Sequence, residues 1–212
     1  MATEDFFWRR AVVFGSAMIY WAGVLIHARR IRKHIGRSPN VTPRGTKEKL
    51  LWTGWLFVIM GWMAMPFLAG KNTPLPLLRF LSTLLHPASL ALGVLLLVAG
   101  YACTLWCYAA MGDTWRMGIN RKEKTSLVTR GPYRFVRHPI YLFQVVMLVG
   151  VFFLLPTLLS LILLVIHLLC LLIKAVDEES YLLNIHGEEY GKYLSRTGRL
   201  LPKLGRRALQ SK

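Results

Sequence analysis

Apolar residues run along this chain in long blocks separated by short, strongly basic stretches, not at the three-and-four spacing of a soluble helical core. Five blocks approach the roughly 20 residues that a helix needs to cross the hydrocarbon layer. They fall at about 10–28, 50–69, 88–110, 139–155 and 157–175. Lipid cannot satisfy free backbone groups and barrel-type alternation is missing, so the pattern predicts an all-α integral membrane protein with five transmembrane helices. Only Leu154, Leu155, Pro156 and Thr157 separate the last two blocks, which predicts a tight helical hairpin. The loops are too short for a further domain. The whole chain, 1–212, reads as one membrane unit, with helices 1 and 2 in 1–87 and helices 3 to 5 in 88–212.

Composition agrees: 54% of the residues are hydrophobic. The formal net charge of +17 taken alone suggests nucleic acid, but its placement argues against such a partner, because Lys and Arg cluster beside the apolar blocks. With the N-terminus outside, only Arg9, Arg10, Lys71 and Arg79 of the 27 basic residues fall on the outer side. The positive-inside rule then sets the C-terminus in the cytoplasm and makes anionic membrane lipids natural partners of the basic loops. Glu4 and Asp5 before the first block, Arg29 and Arg30 after it and the lack of an A-x-A site favour a retained helix over a cleaved signal. Cys103, Cys107 and Cys170 lie inside apolar blocks and read as packing residues; no metal is implied. The loop 31–49 is expected on the headgroups, and the loop around GKNTPLPLLRF to be partly irregular. The tail HGEEYGKYLSRTGRLLPKLGRR reads as an amphipathic helix on the membrane surface.

Candidate chemistry gathers at the open end of the hairpin. Pro139 suits the first position of a helix, and His138, Tyr141 and Gln144 follow one another at spacings of three, on one face. That stripe fits either a cavity lining or an interfacial anchor with Arg137 on phosphate. On the fifth helix His167, Lys174 and Glu178 lie within about 20° of one line at 3.6 residues per turn. Lys174 and Glu178 could neutralise each other at i, i+4, and His167 could be a hydrogen-bonded bundle histidine, the preferred account of that residue. Glu178 is read as functional. Because both stripes leave the hairpin at its open end, His138 and Glu178 are expected to be neighbours.

Together, LVTRGPYRFVRHPIY, DEESYLL and GEEYGKYLSRTGRLLP, over roughly 105–204, resemble the membrane family of isoprenylcysteine carboxyl methyltransferases and phosphatidylethanolamine N-methyltransferases. The resemblance implies S-adenosylmethionine as methyl donor. It also implies a cofactor pocket formed by Leu127, Val128, Tyr133, His138, Pro139, Ile140 and Tyr141. Glu178, with Glu179, would hold the donor's amino-acid end or ribose, and Arg137 would face substrate. Lys174 stands where the carboxyl methyltransferases carry an arginine thought to meet the substrate carboxylate; it keeps the charge without the bidentate fork. Lys174, Glu178 and Glu179 are therefore the catalytic candidates, with Glu179 or Asp177 available to take a proton from an amine acceptor. The expected reaction is methylation of the polar end of a lipophilic substrate that enters from the bilayer, isoprenylcysteine-type carboxyl O-methylation first and phospholipid N-methylation second. An NADPH-dependent sterol reductase shares an Arg-His-Pro-x-Tyr helix start but is expected to have about twice as many helices, and no Gly-rich dinucleotide fingerprint occurs here. A non-catalytic lipid-binding scaffold is the rival from another class.

Overall fold

The computed structural model describes residues 3–36, 43, 45–116 and 126–203, with side chains from Phe6 onward. All regular structure among them is helical, apart from three isolated bridges. The helices are α1 (Thr3–Ile35), α2 (Thr46–Leu68), α3 (Pro87–Met111), α4 (Pro139–Leu154), α5 (Leu158–His186) and α6 (Glu188–Arg196). Four of them, α1, α2, α3 and α5, are long and apolar enough to cross a membrane. The expected fourth span is α4, largely apolar but only 16 residues long. At 1.5 Å per residue that is about 24 Å, short of a hydrocarbon core of about 30 Å. Two other expectations change in extent: α1 is longer at both ends than 10–28, and α5 runs on to His186, past 175.

Local sequence sets the helix starts. Pro87 and Pro139 occupy first positions, where no N–H is needed. His86 with Ser89, and Thr157 with Ser160, form reciprocal capping boxes that satisfy the first backbone donors of α3 and α5. The four-residue link expected between the last two blocks becomes a three-residue turn, and α4 and α5 form the hairpin.

Small residues decide which helices touch. A Cβ built on Gly93 would stand 2.9 Å from the Gly150 carbonyl oxygen, and one on Gly100 would stand 2.9 Å from that of Phe143. The backbones of α3 and α4 meet directly, as small residues allow in apolar bundles. Gly54 and Gly61 let α2 come close to the side chains of Cys170 and Leu163 of α5. Cys107 and Cys170 are buried free thiols, consistent with packing. The 70–80 loop is irregular as expected, with single helical turns at Pro76–Leu78 and Ser82–Leu84 and a bridge from Phe80 to Thr157.

In the tail the expected amphipathic helix is the nine-residue α6, which packs Tyr190 to 1% exposure, and the chain after it returns to the segment before α4, where Gly198 bridges Val136. A lone amphipathic pattern cannot distinguish a lipid surface from a protein groove. The centre of the basic 31–49 loop and the tail beyond Lys203 lie outside the described residues.

Candidate active site

The start of α4 is held by backbone before any side chain acts. Gly131, at φ +60, opens a turn through Arg134 that buries Pro132 and Tyr133. The Arg137 N–H donates to the Gly198 carbonyl (2.9 Å) and the His138 N–H to that of Arg199 (3.1 Å). Tyr193 Oη donates to the Tyr133 carbonyl at 2.6 Å, and burial pushes that phenol up to about 12. Two stretches some sixty residues apart thus fix the backbone that presents Arg137 and His138.

The paired carboxylates of α5 then divide. Glu179 receives Arg199 as a fork, Nε at 3.0 Å and Nη2 at 2.8 Å, and Arg137 Nε at 2.9 Å. Arg137 also donates to the Thr197 carbonyl. Bidentate guanidinium pairing of this kind fixes geometry. Glu178 has softer company: Tyr141 Oη donates to it at 2.8 Å and His138 Nδ1 stands 3.5 Å away. His138 stacks parallel on the Tyr141 ring at 5.3 Å, and its Nε2 lies 3.3 Å from Glu179 without a well-aligned hydrogen bond. Burial lowers the basicity of His138, but the two carboxylates outweigh it and raise its pKa above the ordinary value. Asp177 is engaged by Lys47 at 2.6 Å. The expected neighbourhood of His138 and Glu178 is present.

Lys174 is buried to 7% exposure and makes no hydrogen bond or ion pair among the described residues. The i, i+4 pairing with Glu178 does not form; Glu178 takes its partners from α4. His167 is buried too, and neither ring nitrogen has a hydrogen-bond partner among the described residues. The preferred account of His167 as a satisfied bundle histidine is thereby corrected: its α5 stripe faces a cavity instead of a neighbouring polar side chain.

That cavity has a volume of about 580 Å³. Arg137, His138, Ile140, Tyr141, Tyr133, Lys174 and Glu178 line it, so most of the expected site residues come together. Leu127, Val128, Pro139 and Glu179 are not on its wall. Pro139 is buried at the start of α4, Leu127 is half-buried, and Val128 packs against Cys107, Ala110 and Tyr133. Much of the remaining wall comes from the two helices that offered no family motif, Tyr20 and Trp21 of α1 and Trp52, Trp55 and Trp62 of α2, together with Tyr108 of α3. A signal was available in α2, where Trp52, Trp55, Ile59 and Trp62 recur at spacings of three and four along one face. Thr197 and Arg199 were also missed as site builders. The RTGR of the tail motif contains both.

A scan against curated proteins finds no match to this chain. Residues 88–189 match the family described as phospholipid methyltransferase. The matched stretch runs from α3 through the start of α6 and carries the charged end of the cavity, Arg137, His138, Lys174 and Glu178. Over residues 88–189, just under half of its length, the chain is thus similar to the membrane methyltransferase group that includes the phospholipid methyltransferases, a group of enzymes.

Proposed function

We propose that this protein is an S-adenosylmethionine-dependent integral membrane methyltransferase that modifies the polar end of a lipophilic acceptor. One observation carries the proposal: a largely apolar, aromatic-walled cavity with Arg137, His138, Lys174 and Glu178 gathered at one end. The residues suit the donor. Glu178, held by Tyr141 and His138, offers a carboxylate to an ammonium or to ribose hydroxyls, and Arg137 a guanidinium to a carboxylate. Aromatic faces such as Tyr133 and Trp115 favour a cation and a planar base. When bound, S-adenosylmethionine supplies an electrophilic methyl group on a sulfonium.

What the chain itself must do is align and dehydrate. Aligning two reactants is worth about 7–11 kcal/mol in favourable cases, and no nucleophilic side chain is required. Lys174, buried and without a counterion among the described residues, would orient an anionic acceptor and favours carboxyl O-methylation. The family match favours a second reading, phospholipid N-methylation. There the amine must lose a proton, and the Glu178 carboxylate, held by the Tyr141 hydroxyl, would accept it. In this proposal the chain crosses the bilayer five times, N-terminus outside, with the site at the cytoplasmic face. Local thinning and flanking arginines would accommodate the short α4.

The test is direct. Purified protein is incubated with labelled methyl donor and a panel of prenylcysteines and aminophospholipids, and the product label is treated with base. A base-labile label identifies an ester, a stable one an amine. No transfer together with no donor binding by calorimetry would overturn the proposal; binding of NADPH instead would mark a reductase.

A further inference from the structure

We infer that the deep part of the cavity is a second recognition subsite, in which His167, flanked by Trp55 and Trp62, reads an uncharged hydrogen-bond acceptor within the acceptor molecule. The inference rests on the proposed use of the cavity as the acceptor site. His167 lies seven residues before Lys174 on the same line of α5, roughly 10 Å deeper at 1.5 Å per residue. It is buried at 8% exposure and lines the cavity, and neither ring nitrogen has a hydrogen-bond partner among the described residues. The close approaches of Gly54 to Cys170 and Gly61 to Leu163 put the middle of α2 beside it. From that stretch Trp55 and Trp62 also line the cavity, each with a buried indole N–H that has no partner among the described residues.

Two indoles and an imidazole left unpaired in an apolar wall are not what packing produces, because buried donors are nearly always satisfied. The neighbouring polar pair shows the ordinary solution: Gln144 donates to Tyr20 at 2.6 Å, and both side chains line the same cavity. Indole only donates, so the complementary group is an acceptor oxygen. A charged one is disfavoured at this depth. An ester or amide carbonyl about 10 Å from the methylated end meets the requirement; a plain hydrocarbon chain leaves every donor unpaired.

The full-length protein in detergent decides the matter by binding alone. Two probe pairs are compared: a diester and a diether phosphatidylethanolamine of equal chain length, and an S-alkylcysteine with and without an amide carbonyl roughly 10 Å from its carboxylate. The carbonyl member of at least one pair is expected to bind about tenfold tighter, the cost of leaving a site's polar groups unpaired. The pair that responds identifies the source of the carbonyl. In His167→Leu the preference should shrink to about twofold, and Trp62→Phe, which keeps the ring and removes the N–H, should reduce it in part. Equal binding of both members of both pairs by the wild type overturns the inference, as does a preference that survives His167→Leu. The wild-type comparison stands even where a variant fails to fold. Calorimetry with S-adenosylmethionine runs in parallel: lost donor binding with the carbonyl preference intact defeats the methyltransferase proposal and leaves this subsite standing, and the converse defeats the subsite alone.

Discussion

The two ends of the α4–α5 hairpin handle polar groups in opposite ways. At the turn, Arg9 reaches across from α1 and is buried to 1% exposure. It donates to the carbonyls of His86 (2.8 Å), Phe153 and Leu154 (3.2 Å each), and to Ser89 Oγ. Thr157 and Ser160 complete one another beside it. At the open end, among the described residues, Lys174 has no partner, Glu178 shares only a tyrosine and a histidine, and His138 Nε2 is poorly aligned. The satisfied end holds the hairpin together, and the unsatisfied end keeps its bonding capacity for something else. A buried polar group left unpaired costs about 1–3 kcal/mol, so its retention points to use rather than to folding.

Removing Arg9 should break this contrast most severely. Arg9→Ala strips partners from the last carbonyls of α4 and from His86, and is expected to cost about 3 kcal/mol or more, seen as a large drop in thermal midpoint in detergent. An unchanged midpoint would mean that the turn does not depend on it. At the open end the same operation should spare the fold. Glu178→Ala is expected to weaken S-adenosylmethionine binding about ten- to hundredfold, the worth of a charged hydrogen bond, with little change in midpoint. Retained affinity would remove Glu178 from the donor site.

A smaller effect concerns pH. His138 has its pKa raised in the folded protein, so it binds a proton more tightly folded than unfolded. Its contribution to stability is complete below the unfolded value near 6.5 and is lost as pH rises through the folded value. The unfolding midpoint of the wild type should fall modestly across that window relative to His138→Asn; parallel curves would show that the two carboxylates do not hold the imidazolium. The smallest effect is expected for Lys174→Arg, which keeps the charge and adds a fork. Turnover on a carboxylate acceptor should stay within about threefold or rise. Complete loss would argue against a substrate-facing Lys174.

Much of the charged site was legible along the chain because it depends on helical period and on the direction of a hairpin. His138, Tyr141 and Gln144 at spacings of three, and His167, Lys174 and Glu178 along one line, needed only a tight turn to become the two sides of one cleft. What the period could not supply was partner choice. Glu178 and Glu179 are adjacent and chemically alike, yet one faces the cavity and the other is tied to Arg137 and Arg199. Successive helical residues point about 100° apart, and only the docking of the tail decides which direction meets guanidinium. The tryptophans of α2 were visible as a stripe without an object. An apolar face reads the same whether it meets lipid, a helix or a cavity.

The sequence by itself determined the apolar helices, the hairpin, the proline-led start of α4, the capping-box starts of α3 and α5, and the pairing of an α4 start with an α5 stripe, because all of these follow from local geometry and short-range connection. The tertiary structure decided that α4 is the short helix packed backbone to backbone on α3, that the tail closes on Val136 rather than lying apart, and that α1, α2 and α3 furnish much of the cavity wall. Those outcomes depend on which glycines meet and which guanidinium reaches which carboxylate, contacts between residues far apart in the chain that no local pattern encodes.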